Sequence, residues 1–269
     1  MAAARLRRLL GDAASPLAAL ALWELLARSG LVTSFLLPPA SVVALRIAET
    51  AASGELLREG ARTLLRMLVG YVLAGALGVG LGVLMARVRV VRWFLDPLVS
   101  IGFPAPKISF LPIFILWFGL FDLSKIVMTV FACVFPVLAA TWAATDGVDK
   151  YLIWSARNLG TRERALLWEV VLPAALPQVF TGLQVALPIA FIVVIVTEML
   201  TGGGGLGGGM MEGARFADSP RVFGNLVVVG VLGLLAMKGL ERLRRRLLVW
   251  HEEVQRGGGE APTSEGGKP

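Results

Sequence analysis

The sequence predicts an all-α membrane protein of six transmembrane helices, with one longer polar loop on the cytoplasmic side. Three observations carry that expectation. Hydrophobic residues make up 56% of the 269-residue chain and charged residues only 17%, with a mean hydropathy of +0.74, outside the range of soluble domains. The apolar residues fall into runs long enough to cross a bilayer. The basic residues, which set a formal charge of +7 and a pI near 10.3, gather in short clusters between alternate runs, as the bias toward positive cytoplasmic segments requires. No nucleic-acid motif accompanies these clusters, so the charge does not imply a nucleic-acid partner. The single cysteine, Cys133, lies in an apolar run; it permits no intrachain disulfide or thiolate cluster and reads as a small buried residue.

The N-terminus has the basic start of a signal peptide in Arg5, Arg7 and Arg8, but the apolar run 17–26 contains Glu24 and meets Arg28 without a cleavage pattern. It reads as a retained first span, with Glu24 and Arg28, four residues apart, neutralising each other near its far end. The run L-L-P-P-A-S then supplies a stop, a turn and a cap at Ser41, and an amphipathic piece completes an N-terminal division, 1–59. The remaining core is 60–250, followed by a tail, 251–269, whose Gly, Pro, Ser and Glu content predicts disorder.

The second span, 63–86, strings Gly70, Gly75, Gly78, Gly80 and Gly82 along its length, a spacing that lets helices approach closely in lipid. After Arg87, Arg89 and Arg92 a third apolar segment, 93–120, is interrupted by F-P-A-P-K. Pro104 and Pro106 must leave carbonyls without helical donors, which lipid tolerates only against protein or a water-filled cavity. Lys107 follows directly. Either it faces an interior path for an anion, or it snorkels or pairs with a carbonyl at the break.

A polar turn, 122–125, precedes the fourth span, 126–144, which contains Pro136. The fifth span, 177–200, carries Pro188 and ends in Glu198 and Met199. Glu198 has the chemistry of a pathway carboxylate, although a solvated or paired interfacial role is the favoured reading at a helix end. The run T-G-G-G-G-L-G-G-G-M is no phosphate loop, since no Lys-Ser or Lys-Thr follows and no strand precedes it; 202–209 is expected as a flexible corner before a short helix. The sixth span, 222–239, closes on the basic run E-R-L-R-R-R.

The polar loop lies between the fourth and fifth spans. Asp149 is placed to cap a first helix, Leu152, Ala156 and Leu159 share one face of it, and Gly160 stops it. Thr161 is placed to cap a second helix, with Glu163 in its first turn, ending at Leu172 before Pro173. Two such helices are too polar to span a bilayer and too apolar on one face to stay unpartnered, so they should dock on another protein.

The order A-R-N-L-G, then V-V-L-P, then A-L-P resembles the "EAA" loop of the membrane subunits of ABC importers. Ala156, Gly160, Leu172 and Pro173 match that pattern, while Trp154 and Ser155 stand where the family has a glutamate and an alanine. The phrase P-A-P-K-I-S-F-L-P-I-F-I-L-W-F-G, with L-S-K soon after, resembles the nitrate/sulfonate/taurine branch of the binding-protein-dependent permeases. The resemblance implies a multi-pass permease subunit in the lipid of a bacterial plasma (inner) membrane, with both termini cytoplasmic and the 41–59 segment outside. It implies that the coupling loop, 146–173, docks on a cytoplasmic ATPase dimer that binds ATP, that a second permease copy completes the path, and that a periplasmic or extracellular solute-binding protein delivers a small anion such as nitrate, a sulfonate or taurine. Pro104, Pro106, Lys107 and Glu198 are the candidate path residues.

No cofactor or metal is expected in this chain. His251 is its only histidine, and no nucleophile or nucleotide motif is present, so it is not expected to be an enzyme. A stand-alone secondary transporter or channel would need polar coupling sites at mid-membrane and an internal inverted repeat. A membrane enzyme would need acid, base or metal groups gathered at one depth.

Overall fold

The computed structural model describes residues 2–250, and every regular element among them is helical. His251 and the 251–269 tail lie outside the described residues, as do the side chains of Arg5, Arg7 and Arg8. In chain order the helices are α1 (Ala2–Arg28), α2 (Ala40–Ala52), α3 (Glu55–Arg87), α4 (Arg89–Gly102), a 3-10 turn (Lys107–Phe110) into α5 (Leu111–Phe118), α6 (Asp122–Asp146), α7 (Lys150–Asn158), α8 (Glu163–Ala165), a π turn (Leu166–Val171) into α9 (Leu172–Thr201), α10 (Leu206–Arg215) and α11 (Ser219–Leu247). Among the described residues four stretches are long and apolar enough to cross a membrane: Glu55–Arg87, Asp122–Asp146, Glu163–Thr201 and Ser219–Leu247. The pair Arg89–Gly102 and Lys107–Phe118, bent by 102° at the Phe-Pro-Ala-Pro break, makes a fifth when taken as one broken span.

Several local expectations change. Ser41 lies inside α2, whose N-cap is Pro39. Its amide and hydroxyl instead donate to the Glu24 carboxylate at 3.1 and 2.7 Å, and Arg28 sits 2.6 Å from the same carboxylate. The expected polar turn at 122–125 is the first turn of α6. Only Gly202 to Gly205 form the glycine corner, all at positive φ, because Gly207 to Gly209 are already helical.

The chain also stays helical through Pro173. Proline has no N–H, and its ring crowds the carbonyl four residues back. Widening the preceding turn relieves both problems, and the Leu172 amide reaches Leu167 O across that π turn. The second loop helix and the fifth span are therefore one helical path, Glu163–Thr201.

The chain forms two compact units, one of Met1–Val69, Ile108–Met128 and Phe191–Leu232 and another of Gly70–Lys107, Thr129–Ala190 and Gly233 onward. The second unit is assembled by close backbone approach. A Cβ added at Gly78 would lie 2.8 Å from Val137 Cβ, one at Gly82 2.7 Å from Thr141 Cβ, and one at Gly182 2.6 Å from Ala140 Cβ. The α3 and α9 segments thus press onto α6 at distances that only glycine allows, which maximises dispersion contact where lipid supplies no hydrophobic drive. Tyr71 donates to Leu183 O at 2.9 Å, and the buried Cys133 thiol reaches Ala186 O at 3.4 Å.

The first unit is assembled by charge. Arg46 of α2 pairs with Asp218, whose carboxylate holds the guanidinium pKa above its ordinary value. Arg221 of α11 meets Glu55 at 2.7 Å and Glu212 at 2.8 Å.

Candidate functional site

The polar loop belongs to the second unit and closes on itself. Asp149 caps α7 by accepting from the Tyr151 amide at 2.8 Å. At the other end Gly160, at φ +86°, lets its own amide reach Arg157 O at 2.9 Å and the Thr161 amide reach Ala156 O at 3.1 Å. Those two bonds are a Schellman closure, and they need a left-handed residue at this position. Thr161 is consumed in ending α7, so the residue that enters α8 is Arg162, with no side-chain cap. Arg157 and Glu163 pair across the corner at 2.8 Å.

The buried side of the loop is Ala156, Leu166 and Val171, packed with Val148, Ile153, Leu167 and Val170. The face expected from Leu152, Ala156 and Leu159 is thus divided: Ala156 is buried, whereas Leu159 is 87% exposed and Leu152 is also exposed. Tyr151, Trp154 and Trp168 are exposed too, and the Tyr151 and Trp154 rings meet edge to face with centroids 5.5 Å apart. A folded corner therefore presents large apolar side chains outward. Gly160 has open space around it. Leu172 and Pro173 begin α9.

Lys107 also belongs to the second unit. Its ammonium donates to Phe103 O across the break and lies 5.6 and 5.7 Å from the ring centroids of Phe103 and Phe135. Pro104 and Pro106 are exposed beside it.

Glu198 belongs to the first unit and is fully buried. Thr63 donates to it at 2.9 Å, Arg66 at 2.6 Å and the Gly207 amide at 3.1 Å, so it is paired rather than solvated. Arg66, itself 3% exposed, also holds Asp122 at 2.6 Å and donates to Gly203 O and Gly204 O at 3.1 and 3.0 Å. The buried Lys125 ammonium reaches Gly202 O at 2.9 Å.

The four positive-φ glycines thereby turn three successive carbonyls onto buried cations. On their far side the first amides of α10 meet acceptors: Gly205 donates to Glu59 and Leu206 to Thr63 Oγ1. A helix start that would otherwise leave donors orphaned is satisfied by residues of α3 and α9. Sequence reasoning missed Arg66, although an arginine inside the apolar stretch 63–86 is itself the signal of a buried partner.

Residues 78–249 match the family described as binding-protein-dependent transport system inner membrane component. The chain belongs to that family. It is a permease subunit of an ABC importer, a transport protein rather than an enzyme, and its family implies an ATPase and a solute-binding protein as partners. The permease is 30% identical over 241 residues to the taurine transport system permease protein TauC of Escherichia coli strain K12, covering 88% of each chain. It is 30% identical over 240 residues, 89% of this chain and 87% of the other, to SsuC of Bacillus subtilis strain 168, a permease named for aliphatic sulfonates transport. A chain of the inward-facing MetNI methionine ABC transporter shares the fold, with a TM-score of 0.60 at 20% identity over 71% of the permease and 95% of that chain.

Proposed function

We propose that the permease provides the membrane path for a small sulfonate such as taurine, or for another small oxyanion such as nitrate, moved by alternating access that separate ATPase subunits drive. The relatives named for taurine and sulfonates support the substrate class. The observation that carries the mechanism is the loop at 146–173: a corner closed by its own hydrogen bonds, with Tyr151, Trp154, Leu159 and Trp168 exposed upon it. Such a surface suits a hydrophobic groove on a cytoplasmic partner. In this reading Ala156 and Gly160 shape the corner, and Leu172 with Pro173 joins it to α9.

Six spans result when α1 is counted together with the broken α4–α5 pair. The basic clusters then fall on the cytoplasmic side with both termini. ATP is held by the ATPase dimer, a second copy of this chain lines the other half of the path, and lipid surrounds both. Lys107, with Pro104 and Pro106, contributes a cation to that path.

Gly160→Arg is the test. The arginine is strained at φ +86° and projects from the corner, so association with the ATPase should be lost while the spans stay folded. A variant that still co-purifies with its ATPase at wild-type yield and supports normal uptake overturns the docking assignment. Uptake into proteoliposomes with the cognate binding protein, comparing taurine, an alkanesulfonate and nitrate, tests the substrate class separately.

A further inference from the structure

The amino-terminal half of α4 carries chemistry that the transport reading leaves unused. Val91, Leu95 and Val99 turn toward the protein, while Trp93 is 80% exposed and Phe94 is exposed beside it. Arg89, Arg92, Trp93, Phe94, Asp96 and Leu98 line a groove of about 810 Å³. Arg87 lies two residues before Arg89, at the end of α3. Arg87 and Arg89 are exposed and form no ion pair among the described residues. Arg92 stacks 4.8 Å over the Trp142 ring and sits 3.8 Å from Asp146, with its side chain 45% exposed. The groove therefore offers one uncommitted guanidinium group, that of Arg89, and one partly committed, that of Arg92, against one carboxylate on its lining, Asp96.

We infer that this groove binds an anionic phospholipid, with its phosphate on Arg89 and Arg92 and its acyl chains along Trp93, Phe94 and Leu98. The dimensions fit. The ten residues of helix from Arg89 to Leu98 rise about 14 Å, so one molecule reaches from the basic end into the apolar one. Interfacial aromatic residues beside arginines are where a headgroup and its chains meet. Guanidinium groups suit phosphate oxygens because their donors form a planar fork. A zwitterionic lipid carries its own cation to the same place and gains less.

The full-length protein in neutral detergent, analysed by native mass spectrometry, tests the inference. Titration with phosphatidylglycerol should show retention at least about tenfold stronger than phosphatidylcholine of the same chains. Arg89→Gln should weaken phosphatidylglycerol retention about fivefold, the share of one basic residue at an anionic surface. Asp96→Asn should strengthen it. Arg89→Lys should keep most of it, and Arg92→Gln repeats the measurement should Arg89→Gln fail to fold. Equal retention of the two lipids overturns the inference, as does indifference to positions 89 and 96. Displacement by millimolar inorganic phosphate would identify a free-anion site instead. Crosslinking of Trp93→Cys to a second copy or to the ATPase regardless of lipid would identify a protein occupant.

Discussion

The two units of this permease lean on different means to hold their helices. In the first, a buried arginine of α3 collects two carboxylates and two glycine carbonyls, and so ties α6, α9 and the glycine corner to α3. In the second, α3 and α9 meet α6 through glycines at near-contact backbone distances, with few polar bonds. Both solve the same problem, since apolar side chains gain nothing from leaving lipid for one another. The difference lies in how each fails. A charge cluster is all or nothing, because removing one partner strands the other, whereas a packed seam loses stability in proportion to the volume forced into it.

The largest effect should follow Glu198→Ala, which leaves Arg66 buried without its inner carboxylate. Breaking a buried pair costs about 3–5 kcal/mol, and the apparent unfolding temperature in detergent should fall accordingly. Glu198→Leu combined with Arg66→Met should lose less than Glu198→Ala alone. A double variant that is worse than the single would mean that the cluster is not organised around this pair.

Gly182→Leu comes next. Its side chain must enter space already taken by Ala140 and the Pro136 carbonyl, at a cost of about 1–3 kcal/mol. Gly80 has nothing within reach of an added Cβ, so Gly80→Ala should be close to neutral in the same assay, and equal losses at both positions would dissolve the contrast between a packed seam and an open helix face. The smallest change should come from Arg157→Ala. It removes a pair whose side chains are 48% and 70% exposed, worth at most about 1 kcal/mol, and measured stability should barely move.

Much of the helical plan was legible because apolar runs and their breaks are local signals. The Phe-Pro-Ala-Pro interruption, the Asp149 cap and the Gly160 stop all follow from a few adjacent residues. The first unit was not legible in the same way. Arg66 meets Glu198 across 132 positions, and its charge was absorbed into an apolar average over 63–86. The glycine run read as slack because its composition does not reveal that the carbonyls of Gly202, Gly203 and Gly204 are held by Lys125 and Arg66. Pro173 read as a stop because the π turn that accommodates it depends on the ring's clash with the preceding turn rather than on any residue preference.

The hydrogen-bonded corner at Gly160 has a consequence for association itself. A segment that orders only on contact spends part of its interaction energy on losing its own freedom. Here that expense falls on folding, so in the proposed docking an incoming subunit would meet a finished plug, and most of what the exposed rings contribute on contact would go into holding it.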